Sequence, residues 1–375
     1  MATVKNSTLI GSDIGGGPTL AADAQFGAGL AGLGDFDRDG VRGLAVGAPH
    51  ANQVCLLLLN TDGTVKHSTV LTAGQNDSLD FREEGFGSSI AVVGDLNGDG
   101  IGDLAIGAPN SGLLDHGRID VPRGVIDIAF MNADGSAKSF QILGVPSQSD
   151  DPHFGTALVS LGDIDGDGVT DLAASQPQES LDEFGGKAID VLLMNSNGTV
   201  KKVVETAQGG AGLSMAPVGD LDGNGAPDLV VGNYTNICFG ELEVLFLNSD
   251  GGVLNTLAVG GGTNGGPLLT LGDRFGAVTS LGDLDDGGKL ELAVGARGDD
   301  SAGTSAGAVY VLSLGSYSAA VIDGVLTINV GSNRGVDVRV TRDAARSQFV
   351  VRAYDGSVVT KEFRFATSAT VFAWE

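Results

Sequence analysis

Three short acidic segments share one spacing, D-x-[DN]-x-[DN]-G-x-x-D. The first holds Asp95, Asn97, Asp99, Gly100 and Asp103, and the second holds Asp163, Asp165, Asp167, Gly168 and Asp171. The third holds Asp220, Asp222, Asn224, Gly225 and Asp228. Oxygen-bearing side chains on alternate residues around a glycine turn converge on one point. An all-oxygen set of this kind suits a hard cation with about six to eight ligands, which favours Ca2+ over Mg2+. Positions 1, 3, 5 and 9 supply side chains, and position 7 supplies a backbone carbonyl from Ile101, Val169 or Ala226. About three Ca2+ sites are therefore expected.

Two further segments are eroded copies. One keeps Asp35, Asp37 and Asp39 but has Gly43 where the last carboxylate belongs. The other keeps Asp283 and Asp285, has Gly287 in place of the third ligand, and ends on Glu291. Weak or no binding is expected at both. A solvated Asp-Gly turn would explain any single loop of this type, but three full matches at a regular period point to metal. None is an EF-hand, which needs Glu at its twelfth position. Ile106, Ala174 and Val231 stand there, inside apolar runs.

The loops are positioned by a repeated unit. Their starts, Asp35, Asp95, Asp163, Asp220 and Asp283, fall roughly 60 residues apart, the mark of one supersecondary unit stacked on its copies. In the second copy Phe86-Gly87 precedes an apolar run, Ser88 to Gly94. The acidic loop follows, then Leu104 to Gly107, then Gly124 to Met131 and Ser136 to Leu143. These read as four strands. The last two meet at a turn that recurs as Asn60 to Gly63, Asn132 to Gly135, Asn195 to Gly198 and Asn248 to Gly251. Asp-Gly or Asn-Gly between apolar runs is a strong hairpin signal. The fifth copy has Leu314 to Tyr317 there and lacks it. Four-stranded repeats around an axis make a β-propeller.

The units resemble FG-GAP repeats, the blades of the integrin alpha-chain head and of many bacterial surface proteins. The "FG" stands as Phe26-Gly27, Phe86-Gly87, Phe154-Gly155 and Phe275-Gly276, with Ala211-Gly212 departing in the fourth. The "GAP" stands as Gly47-Ala48-Pro49 and Gly107-Ala108-Pro109 and drifts in the other three. The five repeats favour an all-β propeller of five four-stranded blades over residues 1–315, or six if the C-terminal segment contributes one, short of the seven usual in the resembled family. The resemblance implies an extracellular adhesion, binding or structural role. Residues 7–10 resemble the fourth strands of the repeats and are expected to close the ring on the last blade. Tyr317 to Ile322 competes for that place; if it is used, the N-terminal strand is spare and available for self-association. Residues 316–375 contain neither Phe-Gly nor an acidic loop, and read as a degenerate blade or an appended β unit.

Composition bounds the rest. The chain has 375 residues, 61 of them Gly, which disfavours long helices. A net charge of −26 argues against nucleic acid and anionic lipid as partners. No apolar stretch is long enough to span a membrane. The start, MATVKNSTLIGS, has no apolar core of a secretory leader, so none is expected within this chain. Cys55 and Cys238 lie in different repeats and read as small buried residues. His50, His67, His116 and His153 sit in no catalytic motif, and no phosphate-binding loop occurs, so the expectation is a non-catalytic chain. Arg297-Gly298-Asp299 would be an integrin-recognition tripeptide if exposed, although a chain this rich in Gly and Asp supplies it by chance. Asn6, Asn76 and Asn197 begin N-glycosylation patterns. The protein or glycan ligand is not named by the sequence. Rival readings are a lectin on the same scaffold, disfavoured by one Trp and four Tyr, the non-catalytic part of a larger secreted hydrolase, and a self-assembling surface or fibre subunit.

Overall fold

A computed structural model describes residues 7–73, 81–82, 85–115, 118–119, 124–144, 153–176, 189–206, 214–233, 240–261, 266–283, 290–300 and 306–314. Six C-terminal strands between residues 317 and 374 are described as backbone. The fold is all-β, a five-bladed propeller of antiparallel sheets. The first blade runs Leu30–Gly34, Gly43–Ala48, Gln53–Leu59 and Val65–Thr72. The second runs Ser89–Gly94, Asp103–Ala108, Val125–Met131 and Ala137–Gly144. The third and fourth repeat the pattern, starting at Leu158–Gly162 and Ser214–Gly219. Strand order within these four sheets follows chain order, as consecutive hairpins require.

Each first strand ends in a bulge before its acidic loop, between Gly32 and Gly34 in the first blade and between Val92 and Gly94 in the second. The last glycine of the bulge takes positive φ, +67° at Gly34 and +68° at Gly94. Glycine adopts that conformation without a Cβ clash, so the Gly-Asp dipeptide sets the direction in which every acidic loop leaves the sheet.

The blades pack face to face through four apolar clusters. Leu33, Val54 and Leu56 of the first blade meet Phe86, Ile90 and Ile106 of the second. Equivalent clusters join the second to the third, the third to the fourth and the fourth to the fifth. Phe86, Phe154 and Phe275 are fully buried in three of them, so these Phe-Gly phenylalanines serve packing between blades. The glycine at the end of the preceding blade's second strand lets two backbones touch: a Cβ on Gly47 would collide with the Gly87 carbonyl, and one on Gly107 with that of Gly155. A fifth cluster covers the outer side of the first blade, where Ile10, Leu20 and Phe26 lie on Val46, Cys55 and Leu57. Burial pushes the Cys55 thiol up to about 11, in line with a packing role. Cys238 lies outside the described residues.

The fifth blade has three strands among the described residues, Phe275–Gly282, Glu291–Ala296 and Ala308–Ser313. Tyr317–Ile322 does not extend it; that strand pairs with Val325–Val330 and Phe372–Trp374. Val336–Asp343, Gln348–Asp355 and Val358–Ala366 form a separate meander.

Candidate metal centre

The acidic loops connect the first and second strands of their blades, and their own side chains shape them. In the second loop Asp95 accepts hydrogen bonds from the backbone N–H groups of Asp99 (2.8 Å) and Gly100 (2.7 Å). In the third, Asp163 accepts from Asp167 (2.9 Å) and Gly168 (2.8 Å). In the fourth, Asp220 accepts from Asn224 (3.0 Å) and Gly225 (2.8 Å). The position-5 side chain takes the next N–H, from Ile101 (3.0 Å), Val169 (2.9 Å) or Ala226 (2.7 Å). These local bonds are the reason Asp and Asn recur at alternate positions. They hold the loop curled.

The last aspartate does a second job. Asp103, Asp171 and Asp228 are fully buried. One oxygen of each accepts an N–H from its own loop, Leu96 (3.1 Å), Ile164 (3.0 Å) or Leu221 (2.8 Å). The other accepts from the end of the third strand, Met131 (2.9 Å), Met194 (2.8 Å) or Leu247 (2.9 Å). The carboxylate thus ties loop to sheet. Burial raises the proton affinity of all three, and pushes Asp228 up to about 7. Burial also raises that of Asp222.

Ligand atoms of Asp163, Asp165 and Asp171 lie within 4.8 Å of one another, and so do those of Asp220, Asp222 and Asp228. Asp35, Asp37 and Asp39 of the first loop, read as eroded, meet the same limit. The second loop carries Asn97 where the third carries Asp165. In the fifth, Asp285 lies outside the described residues, and Glu291 is buried and accepts from the Ser313 hydroxyl at 2.9 Å.

Sequence reasoning missed a lysine. Lys201, on the fourth strand of the third blade, donates to Asp165 at 2.7 Å and Asp167 at 2.8 Å. Lys66 does the same to Asp37 at 2.8 Å and Asp39 at 2.6 Å, and Lys138 reaches Asp99 at 3.5 Å. The hydrogen bond from the lysine holds Asp39 and Asp167 below the ordinary carboxylate range, and raises Lys66 and Lys201. The signal was available: each lysine stands three residues after the turn glycine, Gly63, Gly135 or Gly198. The fourth blade breaks the rule, since Leu254 follows Gly251 at that offset and is 59% exposed.

Two other motifs resolve differently. Asp299 of Arg297-Gly298-Asp299 is 3% exposed and accepts a hydrogen bond from the Tyr310 hydroxyl. The tripeptide is therefore not displayed as a recognition loop. His116, Asn6 and Asn76 lie outside the described residues, and Asn197 serves its hairpin turn by accepting from Thr199. Among the described residues no helix is long and apolar enough to cross a membrane.

Comparison with known proteins agrees with the repeat. The FG-GAP repeat model matches residues 86–121 and 154–189, the second and third copies. Integrin alpha-5 of Xenopus laevis is 32% identical over 227 residues, covering 56% of this chain and 20% of that protein. Integrin alpha-V of Gallus gallus is 30% identical over 233 residues, covering 58% of this chain and 21% of that protein. The chain spans about a fifth of the length of these relatives. A solved structure of BBS1N in complex with ARL6DN, soaked with mercury, aligns over 93% of this chain and 79% of its own, at 12% identity and a TM-score of 0.41. The chain thus carries segments similar to FG-GAP repeats, at residues 86–121 and 154–189, within a β-propeller.

Proposed function

We propose that the chain is a non-catalytic, calcium-stabilised extracellular β-propeller that serves as an adhesion or binding module. The observation that carries the calcium reading is the pair of equivalent carboxylate clusters, Asp163/Asp165/Asp171 and Asp220/Asp222/Asp228. Their donors are all oxygen, and the loops are curled around them by their own hydrogen bonds. Asp95, Asn97, Asp99 and Asp103 supply the corresponding donors of the second loop, and the carbonyls of Ile101, Val169 and Ala226 complete the three sets. Bound Ca2+ would neutralise carboxylates that otherwise repel one another and would brace the loop against the third strand. The first and fifth loops bind weakly or not at all. The adhesion reading rests on similarity to integrin alpha chains and on the propeller architecture.

Isothermal titration of chelator-treated protein tests the metal. Calcium uptake at two or three sites, with a melting temperature that falls in chelator and recovers with calcium, is expected. Absence of heat together with identical melting curves would end the calcium reading.

A further inference from the structure

We propose that copies of this chain associate head to tail, the open face of the fifth blade accepting the first blade and N-terminal segment of a second copy. The interface is one the molecule already builds four times. On the third strand of each blade, one residue stands opposite the drifting "GAP" position and packs under the next blade. Val54, Ile126, Ile189 and Leu242 are 0%, 0%, 1% and 1% exposed there, whereas Val309 is 70% exposed. Two residues further on, Leu56, Ile128, Val191 and Val244 are likewise covered, and Val311 is 60% exposed. The fifth blade keeps the apolar residues of an interface without burying them.

The complementary half is exposed at the other end. Ile90, Leu158, Met215 and Val278 are buried at one register position of the first strands, and Leu30 at that position is 64% exposed. Gly27 is exposed where Gly87, Gly155 and Gly276 are buried. Gly295 has no backbone of a following blade against it, while Gly47, Gly107 and Gly232 meet the carbonyls of Gly87, Gly155 and Gly276. A groove of about 540 Å³ opens there, lined by Arg274, Ala277, Gly295, Arg297, Gly307 and Val309. It lies where the Phe-Gly turn of a following blade would enter.

The N-terminal segment is placed to supply the fourth strand that the fifth blade lacks among the described residues. The Thr69 hydroxyl, on the first blade's fourth strand, donates to the Asp134 carbonyl in the second blade's turn at 3.3 Å. The Thr8 hydroxyl donates to the Asp62 carbonyl in the first blade's turn at 3.3 Å. Residues 7–10 thus stand toward the first blade as the fourth strand of a preceding blade would. The fifth blade has three strands among the described residues. Because both faces are exposed in one molecule, they do not cover each other, and a second copy supplies the partner without rearrangement. Addition of an edge strand and a heterologous, repeatable contact follow.

Sedimentation velocity tests this with two variants at exposed positions, Leu30→Asp and the double change Val309→Asp with Val311→Asp. The wild type should gain mass with concentration, and each variant alone should stay monomeric. An equimolar mixture should form dimers and nothing larger, because each variant keeps one good face. A wild type that is monomeric at every concentration, or a mixture that stays monomeric, would overturn the proposal. Leu30→Cys with Val311→Cys keeps the test independent of the charged variants. Disulfide-linked ladders are expected, whereas a bridge confined to single chains would show ring closure instead.

Discussion

The third and fourth blades build the same acidic loop with different charges. The third has Asp163, Asp165, Asp167 and Asp171 and places Lys201 on two of them, so four carboxylates less one amine leave a formal −3. The fourth has Asp220, Asp222 and Asp228 with Asn224, and Leu254 where the lysine would be, which also leaves −3. In the fourth, the Asn224 amide donates to the Leu247 carbonyl at 2.7 Å. An amide bonded within the blade thus replaces an aspartate bonded to a lysine. In the third loop the lysine is a tethered cation beside a fourth carboxylate that the fourth loop lacks. A metal entering the third loop must displace it, and one entering the fourth meets no such competitor.

The largest effect should come from the feature both loops share. Asp171→Ala orphans two buried N–H groups and Asp228→Ala one buried and one part-buried, at about 1–3 kcal/mol for each buried donor. Denaturant melts should show comparable losses in both; a neutral variant would mean the carboxylate does not tie loop to strand. Next comes calcium. A site held at about 100 times its Kd should add about 2.7 kcal/mol, and Leu254→Lys should remove most of the fourth loop's share. Unchanged calcium stabilisation in that variant would erase the distinction between the blades. Lys201→Leu should do the reverse and tighten calcium binding at the third loop, by on the order of tenfold, as expected from ligand charge. Titration of the variant against wild type reads this directly.

The smallest effect is in pH. Asp228 has its proton affinity raised by burial to about 7, above its unfolded value near 3.8. The folded state then binds the extra proton, so stability in chelator should fall as pH rises between those values and level off above about 7. Calcium stabilisation should run the other way, weakening as the solution is acidified, since metal and proton compete. Melts in chelator from pH 5 to 8 check this, and Asp228→Ala should flatten the slope.

Much of this was legible in the chain. Each strand of the second repeat lies within about one residue of its expected bounds, because Gly-Asp and Asn-x-Asp-Gly mark where strands must stop. The acidic spacing located the loops for the same local reason. The regular offset of the lysines was legible but their target was not, because nothing in a strand pattern says which solvent-facing side chain bends toward a loop distant in sequence. The double role of Asp103, Asp171 and Asp228 was hidden too, since their second partner is on the third strand.

The sequence by itself determined the repeat, the strands and the oxygen donors, all of which depend on contacts within a few residues. Only the tertiary structure decided what each donor faces. It put lysines on the first three loops and none of them on the fourth, and it turned Asp299 inward. It also left Val309, Val311 and Leu30 uncovered where their counterparts are buried. These outcomes depend on which blade lies next to which, and a local pattern repeated five times carries no information about its own ends.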